Sequence, residues 1–261
     1  MYFIFLAVCF LASVIGAICG IGGGVIIKPV LDALGVMDVA AISFLSGCAV
    51  LAMTTYSVVK GRLAGDSKVE MKTAIPIAAG AVLGGVLGKW MFSFLSSFSS
   101  DKNRIGAIQA ACLIVITVGT LVYTLYKNRI KTYHVRTALV SGMIGIFLGL
   151  LSSFLGIGGG PINLVVLFFF FSMTTKTAAE YSLYIIFFSQ IASLLTSLIT
   201  RTVPDFQPVI LILMAAGGIL GGICGRSINR KIKEKTVDRL FIGLMAVIIC
   251  INLYNFFRFI A

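Results

Sequence analysis

The sequence predicts an all-α polytopic membrane protein made of two inverted repeats of four helical segments each, with the first segment of each repeat broken at a glycine cluster. Three observations carry this prediction. Hydrophobic residues make up 59% of the 261 residues and charged residues only 11%. The apolar residues fall into eight long segments, with the charges gathered mainly in the gaps. The pentapeptide Gly-Ile-Gly-Gly-Gly occurs twice, at 20–24 and at 156–160.

A soluble domain is about 45–50% apolar and about 25% charged. The composition here, with a mean hydropathy of +1.08, excludes a disordered chain, a coiled coil and an ordinary cytosolic enzyme. It fits a chain whose solvent is lipid. At about 20 residues per spanning helix, the length allows roughly seven to nine spans and no sizeable soluble domain. A net charge of +12 would suggest nucleic acid in a soluble protein. The Lys and Arg lie mostly between apolar runs, where the positive-inside rule puts them. The expected partner is therefore the lipid bilayer, not nucleic acid. The localisation expected is the cell (inner) membrane.

The first segment, about 2–34, is too long for one straight span and carries Gly20 to Gly24 in its middle. It has no basic n-region and runs straight into the glycines, so it is expected to be retained, not cleaved as a signal peptide. The second, 39–59, is apolar with Ser46 and Ser57 as interruptions. The third, 72–95, holds Gly80, Gly84, Gly85 and Gly88 at small-xxx-small spacing, which reads as a packing face. The fourth, 104–126, is plainly apolar. The fifth, 135–173, repeats the length and glycine break of the first. The sixth, 177–200, contains Ser182, Tyr184, Ser189, Gln190 and Ser193. The seventh, 207–229, carries Gly217, Gly218, Gly221, Gly222 and Gly225, and the eighth is 236–258.

The halves repeat in order. At the 136-residue offset of the two pentapeptides, Ser46 matches Ser182 and Ser57 matches Ser193. One residue further, Gly84, Gly85 and Gly88 match Gly221, Gly222 and Gly225, and Lys89 matches Arg226. This gives two repeats, 1–130 and 131–261, forming one transport domain.

Charge then distinguishes two topologies. If each segment crosses once, the two sides hold 10 and 11 of the 21 Lys and Arg, which is no bias. If segments one and five enter and leave on the same side, one side holds 15 and the other 6. The second count obeys the positive-inside rule. It leaves an odd number of crossings in each half, so the halves are inverted, and it favours re-entrant hairpins at both glycine clusters.

The clusters also carry the expected chemistry. Consecutive glycines cost roughly 1 kcal/mol each in a helix relative to Ala and leave backbone amides free at the break. In lipid such a break must face protein, water or ligand. A helix restarting after Gly24 or Gly160 turns its positive end to the break, and free amides with that dipole suit an anion. Pro161 fits a first helical residue. The candidate substrate-binding residues are Gly20, Gly22, Gly23, Gly24, Gly156, Gly158, Gly159 and Gly160. Ser46, Ser182, Asn163 and Gln190 are added as donors, and Lys28, one turn beyond Gly24, as a cation. Close helix packing is the alternative role of the glycines, interhelical hydrogen bonding that of the polar residues, and snorkelling to the interface that of Lys28.

Other classes lack their parts. Cys9, Cys19, Cys48, Cys112, Cys224 and Cys250 form no C-x-x-C pair, so no metal or other cofactor is expected. His134 lies in a basic gap and is a poor catalytic base, so the chain is not expected to be an enzyme. There is no phosphate-binding loop of the Walker type. Asp32, Asp38 and Glu180 lie near segment ends, away from mid-span.

The paired GIGGG motifs, the Gly24 to Pro29 spacing, the duplicated four-segment unit and the stretch SLYIIFFSQ from Ser182 to Gln190 resemble the TauE/SafE sulfite exporter family, also called TSUP. The resemblance covers nearly the whole chain. It implies transport of small sulfur-containing anions, of the sulfite, thiosulfate or sulfonate class. By position, Gly20 to Gly24 and Pro29 match the family's first motif and Gly156 to Gly160 the second. Val165 stands where the first half has Pro29. A transporter of another small organic anion or amino acid, and a non-transporting scaffold or sensor, are the rival functions. A homo-oligomer and a coupling ion, proton or sodium, stay open as further partners.

Overall fold

The computed structural model describes residues 2–65, 69–98 and 102–260. Asp66 and Lys68, counted above among the gap charges, lie outside the described residues. Among the described residues ten α-helices follow one another: α1 (Tyr2–Cys19), α2 (Gly24–Leu34), α3 (Val39–Leu63), α4 (Met71–Phe98), α5 (Lys102–Tyr126), α6 (Ala138–Leu155), α7 (Pro161–Phe171), α8 (Thr175–Ile199), α9 (Pro208–Lys231) and α10 (Glu234–Ile260). Among the described residues there is no strand. Among the described residues eight helices are long and apolar enough to cross a membrane; α2 and α7, with 11 residues each, are not among them.

Segments one and five each become a long and a short helix. At 18 residues, α1 and α6 are about 27 Å long and the 11-residue partners about 16 Å. After the break the chain folds back beside its own long helix. A Cβ on Gly16 would lie 2.6 Å from the amide nitrogen of Gly23, and one on Gly23 would lie 3.0 Å from Ser13 Oγ. The first short helix begins at Gly24 itself, one residue earlier than the sequence suggests. The second begins at Pro161 as expected, where a missing N–H costs no helical bond.

The helix ends sort by charge. On one face the Lys127 ammonium pairs with Asp238 at 2.7 Å, Thr175 donates to the same carboxylate, and Lys176 donates to the carbonyl of Asn229. Arg226 donates to the Ser57 carbonyl. This basic face thus gathers the gaps after α3, α5, α7 and α9. On the opposite face Tyr2 donates to Gln207, Phe44 stacks on Phe206, and Arg258 donates to the carbonyls of Asp32 and Ala33. Both ends of the α1–α2 pair therefore lie on the opposite face.

Packing pairs the helices of the two halves. Helix α1 lies on α9 as α6 lies on α4; α3 packs on α9 as α8 does on α4; α2 meets α10 as α7 meets α5. Exchanging the halves maps this pattern onto itself, with α3 against α8 and α5 against α10 as its self-matching pairs. The glycines make the close approaches possible. A Cβ at Gly80, Gly84 or Gly88 would lie within 2.3 Å of a backbone oxygen of α6, and one at Gly221 or Gly225 within 2.5 Å of a backbone oxygen of α1. Without side chains at these points the helix backbones touch, which is how helices associate in lipid.

Candidate substrate site

The two glycine breaks meet. The Cβ that Gly24 lacks would fall on the carbonyl of Ile157, and that of Gly160 would fall 2.6 Å from Val25. Gly22 and Gly158 both lie between Val50 of α3 and Ile186 of α8. Those two residues stand midway along their helices, so the meeting point is central in the fold. Left-handed backbone forces glycine here: φ is +74° at both Gly20 and Gly22, and +65° and +75° at Gly156 and Gly158. The breaks then diverge. Gly23 is right-handed, at φ −68°, whereas Gly159 and Gly160 stand at φ +116° and +90°.

Among the described residues, the amides of Gly22, Gly23, Gly158, Gly159 and Gly160 donate to no backbone carbonyl. The positive ends of α2 and α7 start at the same breaks. The centre therefore concentrates partial positive charge in an apolar shell that includes Ile21, Val25, Ile157 and Leu164, each at most 1% exposed. In this conformation the breaks pack backbone against backbone, and all eight candidate glycines except Gly156 are buried.

The predicted polar residues divide. Asn163, fully buried, donates to Ser182 at 3.3 Å and borders Gly159; its Oδ1 has no partner. Ser46 is fully buried and its hydroxyl is also unpartnered. Gln190 lies at the edge of the second break, where it lines a small cavity together with Gly156. Its amide nitrogen reaches Ser152 at 3.5 Å, and Ser152 bonds Ser189 at 3.1 Å, toward the opposite face. Lys28 neither snorkels nor stands free. It is 1% exposed and its ammonium lies 2.6 Å from Asp32. Asp32, read above as a segment-end carboxylate, is 7% exposed, with its second oxygen unpartnered. The Lys28 charge is thus opposed by a carboxylate one turn away.

Sequence reasoning missed three polar residues. Ser13, buried without a partner, faces Gly23. Ser152 connects α6 to α8, and Asp32 neutralises Lys28. The Asp32 signal was present in the i, i+4 spacing of Lys28 and Asp32, which places them on one helix face.

Among the described residues, ten α-helices with eight spanning candidates, and two glycine breaks meeting centrally, fit a multi-pass membrane protein. The sulfite exporter TauE/SafE family model matches residues 5–252, and the chain belongs to that family. It is 24% identical over 269 residues to the probable membrane transporter protein YunE of Bacillus subtilis (strain 168), covering 94% of each chain. It is also 24% identical over 251 residues to the probable membrane transporter protein MJ0441 of Methanocaldococcus jannaschii, covering 91% of this chain and 90% of that one. No solved structure matches. Membership makes the protein a transporter of the cell membrane and not an enzyme, and sets aside the scaffold reading.

Proposed function

We propose that the protein carries a small sulfur-containing anion, of the sulfite, thiosulfate or sulfonate class, across the membrane by alternating access. The anion is held where the two glycine breaks meet. The observation that carries this reading is the central contact of the breaks, with their amides unpartnered and two helix N-termini directed at it. The family's description as a sulfite exporter points to the same class of solute. Amides of Gly22 to Gly24 and Gly158 to Gly160 bind the oxygens, with Asn163, Ser182 and Ser46 as side-chain donors. Gln190 acts further out.

In this reading residues 1–130 and 131–261 are two inverted repeats of one transport domain, and α1–α2 and α6–α7 are re-entrant hairpins. Support comes from the contacts of Tyr2 and Asp32 on the same face and from principal helix pairs that map onto one another when the halves are exchanged. Rocking of one bundle against the other then opens the centre to each side in turn.

Flux into proteoliposomes tests the proposal. Wild-type protein is expected to move labelled sulfite, thiosulfate or a sulfonate, and Gly23→Val and Gly159→Val to abolish that flux. Wild-type flux in both variants overturns the site; wild-type flux of none of these anions overturns the solute class.

A further inference from the structure

Two cavities lie on either side of the packed breaks, and equivalent residues of the two halves line them. The larger, about 230 Å³, opens at the basic face and is lined by Ser57, Ala179 and Arg226 among others. The smaller, about 20 Å³, lies toward the opposite face and is lined by Ser193, Ser43 and Lys89 among others. Ser57 corresponds to Ser193, and Ser43 to Ala179, at an offset of 136, and Lys89 to Arg226 at 137. These are therefore one cavity, present twice and related by the repeat, expanded on one side and collapsed on the other.

The volumes decide what each can admit. A water needs roughly 10–15 Å³ of such space, so the smaller cavity holds about one water and no oxyanion. The larger one has room for a hydrated small oxyanion. Its charge is suited to one. Arg226, Lys176 and Arg230 line it against a single carboxylate, Glu180. Arg226 reaches across from α9 to α3, where one terminal nitrogen donates to the Ser57 carbonyl at 3.0 Å. Its Nε is buried without a partner. In the collapsed cavity the Lys89 ammonium lies 5.2 Å from the centre of the Phe92 ring.

We infer that these cavities are the two mouths of one anion pathway, that the structure is open to the basic face, and that Arg226 and Lys89 are the cations that receive the anion at each mouth in turn. The inference rests on the proposed anion transport and adds to it two residues outside the glycine site. A guanidinium can grip two oxygens of a sulfur oxyanion at once, whereas an ammonium acts as a point charge. The basic-face mouth is thus the stronger receiver.

Side-resolved flux tests this. In oriented proteoliposomes, Arg226→Gln raises the half-saturation concentration of sulfite or thiosulfate presented at the basic face about ten-fold or more, the scale of a lost charge-assisted contact. It leaves the value at the opposite face within about two-fold, the ordinary scatter of such effects. Lys89→Gln does the reverse. Arg226→Lys, which keeps the charge and loses the fork, gives a smaller rise at the basic face and serves where Arg226→Gln fails to fold. Wild-type flux with variants that shift both faces alike, or neither, overturns the two-mouth assignment and leaves anion transport standing. Wild-type protein that moves no such anion overturns both.

Discussion

The Lys28 ammonium and the Asp32 carboxylate lie 2.6 Å apart, with side-chain exposures of 1% and 6%. The pair sits on one face of α2 and has no counterpart in α7, where Leu164 and Phe168 hold the equivalent positions. Two charges withdrawn from water depend on each other. Removing one leaves the other uncompensated at a cost of about 3–5 kcal/mol, whereas replacing both by apolar residues is often neutral. Lys28→Met and Asp32→Leu are each expected to lower the thermal unfolding midpoint of the detergent-solubilised protein sharply. The double variant is expected to recover most of the loss. A double variant as unstable as the sum of the two singles would show that the pair is not coupled.

Asn163 is expected to act on substrate affinity more than on folding. Its Oδ1 is already without a partner, so Asn163→Ala removes only the weak donation to Ser182 from the free protein. One hydrogen bond to an anion is worth about 1.5–3 kcal/mol. The half-saturation concentration for flux should therefore rise ten-fold or more, with the unfolding midpoint little changed. The opposite pattern, a lower midpoint with unchanged half-saturation, would make Asn163 a purely structural residue.

The glycine faces of α4 and α9 are expected to tolerate almost no side chain. A Cβ at Gly84 would lie 2.1 Å from the Ile146 carbonyl oxygen, and one at Gly221 would lie 2.5 Å from that of Phe10. Gly84→Leu and Gly221→Leu must separate the helices, at about 1–3 kcal/mol or more for overpacking. Gly119, with nothing near its Cβ position, is the control, and Gly119→Leu should keep the wild-type midpoint. Size-exclusion recovery and thermal unfolding measure all three.

Topology has a direct measurement. In a cysteine-free background, single cysteines at Val36 and Thr202 should react with an impermeant thiol reagent from one side, and one at Lys131 from the other. Labelling of Val36 and Thr202 from opposite sides would rule out the hairpin at the second break, since α3, α4, α5, α8 and the α6–α7 segment are what lies between them.

Much of this architecture is legible in the residues. Glycine runs are incompatible with a continuous helix, so the breaks fall within a residue of where the sequence puts them. Each glycine at the packing spacing finds a neighbouring backbone, because that spacing reports distance of approach and little else. Roles that depend on which helix lies opposite are less legible. Gln190 shares a helix with Ser182 but faces Gly47 and Ser152, since two turns along α8 change the neighbours entirely. Lys28 taken alone suggests a free cation; only its spacing from Asp32 shows otherwise. Arg226 and Lys89 stand out as a matched pair in the repeat, yet their cavities arise from four helices and cannot be read along one segment.

The clasp of α1 by α9, and of α6 by α4, has a consequence for biogenesis. Of these ten helices α1 is made before the others, yet the backbone it touches belongs to a helix that starts at Pro208. Until then α1 and α2 have each other and α3, but not the helix that α1 packs on most closely. The second long helix has no such delay, because α4 is already in place when α6 emerges. Assembly thus closes from the C-terminal half backwards. Truncation before α9 would leave α1 without its main packing partner.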